Sequence, residues 1–186
     1  CNTFTPLLDA KHRVDKRRKH EFYLAIQVTG IKTNIVTAVH VTKGLIPEGP
    51  FMLPLFAQTR RAFPKMRKWT ADGAYHSRKN YSIEDIHGIE TWIVGHQRRT
   101  GKAKGSITYR EKTRLFLNNQ RYFFRQYAGH QNVESTNHMV EERLGWTLHS
   151  KNHASRVNEA ICKYIVHDLH VLIQEYCRGG RAPTFS

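Results

Sequence analysis

The sequence predicts an α/β fold: a mixed β-sheet flanked by helices, with a helical C-terminal part. Three observations carry that expectation. Residues 21–42 hold two runs of β-type residues around a Gly/Asn turn. Two short apolar runs, 67–72 and 89–94, enclose a helical stretch, the pattern of a crossover between strands. Beyond residue 108 the apolar spacing is helical almost to the end.

The elements follow in order. Residues 2–20 are polar and read as a loop, because Pro6 and the cationic run Lys16-Arg17-Arg18-Lys19 argue against a strand. Phe22, Leu24, Ile26 and Val28 then alternate with Tyr23, Ala25 and Gln27, and Ile35 to Val41 supply the second hairpin strand. Gly44, Pro47, Gly49 and Pro50 punctuate a loop before a helix at 51–62, with Pro54 in its first turn. A strand at 67–72 delivers Asp72 at its end. Ser77 is placed to cap a helix over 78–87, which Gly88 stops. After the strand at 89–94, Gly95–Ser106 reads as a basic loop. Helices are expected at 108–127, 132–145 and 154–177, the last burying Val157, Ile161, Ile165, Leu169 and Leu172.

Composition bounds the function classes. The 186 residues are enough for one domain with a sizeable core, and 39% hydrophobic content excludes a chain disordered throughout. Thirty Lys+Arg against 15 Asp+Glu give +15, which favours a polyanionic partner through counterion release. No apolar run reaches the ~18 residues of a membrane span. The cysteines Cys1, Cys162 and Cys177 are odd in number and form no CxxC pair, so an intracellular protein is the simpler expectation. Cys162 and Cys177 would stand about 22 Å apart on one helix, too far to share a zinc ion. Trp69, Trp92 and Trp146 read as packing residues, and His76 as either a surface group or a phosphate contact.

Two acids stand out in this basic chain. Asp72-Gly73 alone is a turn signal, and Glu134 alone is a first-turn helix acid favoured by the dipole. Their contexts say more. Ala71-Asp72-Gly73-Ala74-Tyr75, followed by Asn132-Val133-Glu134-Ser135-Thr136 and Arg143-Leu144-Gly145, resembles the last two acidic motifs of the DDE transposases of prokaryotic insertion sequences. The hairpin segment 32–39, and Ser150-Lys151, Asn158-Glu159, Lys163 and His167 to Ile173, fit the same family. The resemblance spans about 20–177, and the 61 residues between Asp72 and Glu134 suit the family order.

The resemblance implies a ribonuclease-H-like sheet and metal-dependent cleavage and strand transfer of DNA. Asp72 and Glu134 would each ligate metal in a two-cation Mg²⁺ or Mn²⁺ site. It implies DNA partners, both element ends and target, a homodimer on paired ends, and a cytoplasmic, nucleoid-associated location in a prokaryotic cell. The family's first aspartate lies on a strand before the hairpin. Asp9 and Asp15 lie in no strand pattern, so the expectation is a single catalytic domain at 1–186 lacking its first strand and first acid, inactive alone. A tyrosine–arginine–glutamate–lysine signature in one branch is matched by Tyr127 and Glu134; His130 replaces the arginine and Glu141 the lysine, with Arg143 or Lys151 as substitutes.

Arg98, Arg99, Lys102, Lys104, Arg110, Lys112 and Arg114 put seven cations into 17 residues, a candidate phosphate-contacting surface or a solvated face. Tyr127, His130, Arg143 and Lys151 join them as DNA-binding candidates by resemblance. Two other readings stay open: a non-catalytic nucleic-acid-binding remnant, and another ribonuclease-H-like nuclease.

Overall fold

The computed structural model describes residues 2–6, 22–44, 46–95 and 106–179. Along the chain lie β1 (Asn2–Pro6), β2 (Tyr23–Thr29), β3 (Val36–Lys43), α1 (Met52–Ala62), β4 (Lys68–Ala71), α2 (Arg78–His87), β5 (Glu90–Ile93), α3 (Ile107–Asn118), α4 (Gln120–Tyr127), α5 (Gln131–Leu144), β6 (Thr147–Leu148) and α6 (His153–Gly179). They form two compact units, Cys1–Ile46 with Asn132–Ser186, and Pro47–Gln131. The α/β class and the mixed sheet flanked by helices are as expected. Among the described residues no helix is long and apolar enough to cross a membrane.

The first unit is built on a four-stranded sheet of order β3-β2-β1-β6. β2 and β3 pair antiparallel from Tyr23↔Lys43 to Val28↔Ala38, with an irregularity at Val28/Thr29. The turn closes through a 2.8 Å bond from the Gly30 amide to the Ile35 carbonyl, with Asn34 left-handed at φ 56°, a conformation Asn tolerates. Residues 2–6 correct both the loop expectation and the expectation that the strand before the hairpin is missing. They form β1, antiparallel to β2 and parallel to β6. Thr3, Phe4 and Thr5 have the β preference, and Pro6 falls on the last position, where a missing amide costs the ladder least. The expected Asp9 and Asp15 and the run Lys16–Lys19 lie outside the described residues.

The sheet's Tyr23, Ala25 and Val41 pack against Val140 of α5, Leu148 of β6, and Ala160 and Tyr164 of α6. The buried face of α6 differs from the one expected. Ala160, Tyr164, His167 and Val171 are buried, Val157 and Ile161 pack at the margin, and Ile165 and Leu169 are 53% and 54% exposed. The buried stripe is turned away from the most apolar one, because it carries a histidine bonded through Nε2 to the Asn34 carbonyl at 3.0 Å.

Two side chains of α6 fix the chain between α5 and α6. The Lys163 ammonium donates to the carbonyls of Leu144, Gly145 and Thr147 at 2.9, 2.7 and 2.8 Å. One turn earlier, the Glu159 carboxylate accepts the His149 amide at 2.9 and 3.0 Å and the Ser150 amide at 2.8 Å. Gly145, at φ 69°, makes the left-handed exit from α5 that this geometry needs.

The second unit is a β-α-β element with added helices. β4 and β5 pair in parallel from Lys68↔Glu90 to Ala71↔Ile93, with α2 as the crossover. Ser77 Oγ accepts the Asn80 amide, and Gly88 ends α2 at φ 64°, both as the sequence predicts. In α1, Met52, Leu55, Phe56 and Thr59 are buried at helical spacing. The helix expected over 108–127 is two helices. Asn119 leaves helical geometry at φ −142° and caps α4 by accepting the Tyr122 amide at 3.1 Å. An Asn–Asn pair competes with the helix by side-chain bonding to backbone. Trp92, Phe116 and Phe123 form the core beneath α3 and α4. Trp69 and Trp92 pack as expected, whereas Trp146 is 58% exposed.

Removing the Lys163 ammonium leaves three carbonyls without their charged donor. We predict that Lys163→Met lowers the stability of the first unit by about 2–3 kcal/mol, read as a shifted denaturation midpoint together with faster amide exchange at 145–150. Burial alone would raise the Glu159 carboxyl, but bonds from His149 and Ser150 and the charge of Lys163 bring it below its ordinary 4.5. A lowered carboxyl contributes stability that is complete above the unfolded pKa and lost as pH falls through the folded one. Stability should therefore decline below about pH 4.5, and Glu159→Gln should flatten that limb. Asp168 has the opposite sign. Desolvation pushes its carboxyl up, against the Val36 amide at 2.8 Å and the neighbouring His167. Asp168→Asn keeps the acceptor and removes the buried charge, so it should raise the neutral-pH denaturation midpoint.

Candidate functional site

Asp72 is the first residue beyond β4, at the carboxyl end of a parallel strand, and its side chain is exposed. Its Oδ1 accepts the Ala74 amide at 2.7 Å, capping the 3₁₀ turn Gly73–Tyr75. The turn reading of Asp72-Gly73 is thus correct locally, and the same bond orients the carboxylate. The turn is braced from beneath. Tyr75 Oη donates to Glu48 Oε2 at 2.8 Å, and burial together with that carboxylate pushes the phenol well above its ordinary range. Asn80 Nδ2 donates to the carbonyls of Tyr75 and Gly49 at 2.7 and 3.2 Å. His76 is 5% exposed among the rings of Tyr81 and Tyr109, with Nε2 3.4 Å from Thr113 Oγ1. Burial removes it from the phosphate-contacting candidates and makes it a support for the turn.

Glu134 is exposed in the first turn of α5, where the helix dipole favours an anion. Two asparagines whose bonding the sequence does not disclose, Asn132 and Asn137, hold the first half of the helix. Asn132 Nδ2 donates to the carbonyls of Gly30 and Ile31 in the hairpin turn. Gln27 Nε2 donates to Asn137 Oδ1 at 2.6 Å, and Thr136 is buried with Oγ1 on the Asn132 carbonyl at 2.8 Å. An Asn five residues after another, flanking a helix acid, is the available signal, though sequence alone does not name the hairpin as the partner.

Compared with family models, curated proteins and solved structures, the chain has no match.

The basic candidates separate by what they touch. Arg98, Arg99, Lys102 and Lys104 lie outside the described residues. Lys112 Nζ lies 3.3 Å from Glu84 Oε2 and 3.8 Å from the Trp92 ring centroid, with its side chain 12% exposed. Glu84 in turn accepts the Thr91 amide at 2.9 Å, so Lys112 ties α3 to α2 and β5. Arg114 is exposed and Arg110 half-buried, on one side of α3. Tyr127 and His130 are brought together, their rings stacked at 4.8 Å, with Tyr127 packed on the Trp92–Phe116–Phe123 core.

On the first unit, Arg143 and Lys151 are exposed. Arg143 lies nine positions after Glu134 on α5, which at about 100° per residue puts it on the opposite side of the helix, roughly 13 Å along the axis. It therefore cannot take the place of a base two turns beyond Glu134; Glu141 occupies that place. Among the described residues no three His, Cys, Asp or Glu side chains group as a metal-binding cluster.

The division among the cations has a direct test. On the expectation that the chain binds DNA, we predict that Arg114→Ala lowers the log–log salt slope of that binding by about one without moving the denaturation midpoint. Lys112→Met should instead destabilise the second unit by about 1–2 kcal/mol, seen in denaturation, with the salt slope unchanged.

Proposed function

We propose that this chain is the catalytic core of a DDE-type transposase, acting on DNA with Mg²⁺ or Mn²⁺ and with Asp72 and Glu134 as metal-ligating acids. One observation carries the reading: Asp72 presents an exposed, oriented carboxylate just past the carboxyl end of a parallel strand, on a turn braced by Glu48, Tyr75 and Asn80. The open end of parallel strands is where α/β folds place ligands. Both acids offer hard oxygen donors, which suit Mg²⁺ and Mn²⁺. Bound divalent cations supply activation of water or a DNA 3′-hydroxyl and stabilisation of the leaving oxygen. In this reading Asp72 and Glu134 fix such cations, while Arg110 and Arg114 neutralise phosphates and set the register of the duplex. The resemblance in the motifs around both acids and the +15 charge support it. A homodimer on paired DNA ends belongs to the same proposal.

A second reading, a non-catalytic nucleic-acid-binding protein, is favoured by one feature, Glu141 standing where a lysine would assist Glu134. Mn²⁺ binding followed by electron paramagnetic resonance, beside duplex affinity, separates the two. Asp72→Asn and Glu134→Gln should each weaken Mn²⁺ binding at least about tenfold, with duplex affinity unchanged within about twofold, since in this reading neither acid contacts phosphate directly. Unchanged Mn²⁺ affinity in both variants would leave only the binding reading.

A further inference from the structure

The exposed side of α4 combines aromatic rings with arginines, and no part of the proposed metal chemistry uses it. Phe123 is fully buried, while Phe124 and Tyr122 are 44% and 38% exposed, and Arg121 and Arg125 are exposed. At about 100° per residue, Phe124, Arg121, Arg125 and Tyr122 follow one another around the side opposite Phe123, so two cations sit between two rings. The rings are held. Phe124 meets Phe116 edge-on at 6.0 Å, Phe123 at 5.9 Å and Tyr127 at 6.2 Å. Tyr122 meets Trp92 edge-on at 6.1 Å, and Arg125 lies 5.3 Å over its ring. Neither ring pays much conformational entropy on binding, because its orientation is already set.

Charge identifies the occupant. Between Ser106 and Gln131 the chain carries Arg110, Lys112, Arg114, Arg121 and Arg125 against a single acid, Glu111. An apolar protein partner would leave the charges of Arg121 and Arg125 uncompensated at the centre of the patch. A folded duplex offers phosphates to the arginines but hides its base faces from the rings. Only a strand with unpaired bases uses both, through stacking on the rings and ion pairing of its phosphates.

We infer that α4 is a binding platform for single-stranded DNA, with unpaired bases stacked on Phe124 and Tyr122 and phosphates held by Arg121 and Arg125. The inference rests on the nucleic-acid reading above and adds the strand state that this surface recognises.

Full-length protein is titrated with a 15-nucleotide single strand carrying 2-aminopurine and with a duplex of the same length. Wild type should quench the 2-aminopurine on binding. The double variant Phe124→Leu/Tyr122→Leu, which keeps apolar cover over the core, should lose the quenching and bind the single strand about tenfold more weakly. Its duplex affinity should stay within about twofold. Arg121→Gln/Arg125→Gln should weaken both substrates. A 5-iodouracil strand photo-crosslinked to wild type should map to residues 120–127, a readout that needs no variant to fold. Crosslinks only elsewhere, or equal losses on single strand and duplex in the leucine variant, would overturn the inference. Wild type that binds duplex and not single strand overturns this inference alone; wild type that binds neither overturns the nucleic-acid reading itself.

Discussion

Five backbone polar groups between Leu144 and Ser150 are satisfied by two side chains one turn apart on α6, and the first unit depends on that arrangement. The end of α5 leaves carbonyls with no helical partner, and the left-handed exit at Gly145 turns them toward α6. An ammonium has three protons and a carboxylate has four acceptor sites, so Lys163 and Glu159 match the three carbonyls and two amides presented to them. The tight connection allows a strand of only two residues, β6, to pair in parallel with β1 and bring Leu148 into the core. Without it, Thr147 and Leu148 would have little to hold them in register, since two ladder positions do not repay the entropy of ordering the loop.

At its other end α5 is fixed by Asn132, and at its middle by Asn137, so Glu134 stands between two anchored positions. Asp72 is treated alike in the second unit, on a short turn held by Glu48 and Asn80 through Tyr75. Both acids are exposed, yet the backbone beneath each is held by side-chain bonds to buried or half-buried partners. Such a separation, flexible chemistry above and fixed scaffold below, is what placing a charge to within a fraction of an ångström requires. The Asp72 carboxylate is ordered by the Ala74 amide at 2.7 Å.

Local signals were the legible part of the sequence. The β2–β3 hairpin, the Ser77 cap, the Gly88 stop and the strand ending at Asp72 all follow from residues within a few positions of one another. Tertiary choices were not legible. β1 and β6 are too short and too polar to show period-2 alternation, and they exist through pairing with each other and with β2. The division at Asn119 hung on a side-chain cap competing with one more helical turn, a balance of about 1 kcal/mol. The rotated face of α6 hid because its centre is His167, a residue whose burial depends on the Asn34 carbonyl across the sheet. Around Asp72 the motif could be read, but Glu48 and Asn80, which hold it, lie 24 residues before and eight after, with no local pattern linking them.

The basic surplus also divides once the fold is known. Lys163 and Arg156 bond backbone carbonyls at the α5–α6 connection, and Arg60 bonds the Met66 carbonyl. Lys112 is engaged by Glu84 and Trp92, and Lys68 donates to Gln126 at 3.2 Å. These cations do structural work, and withdrawing any of them for a phosphate would leave a carbonyl, a carboxylate or a ring without its partner. A polyanion therefore competes poorly for them and well for arginines such as Arg114 and Arg121, whose guanidinium groups face solvent. In the proposed nucleic-acid reading, net charge would set the long-range attraction for a polyanion. The number of phosphates neutralised would then be set by the smaller group of cations not engaged in the contacts above.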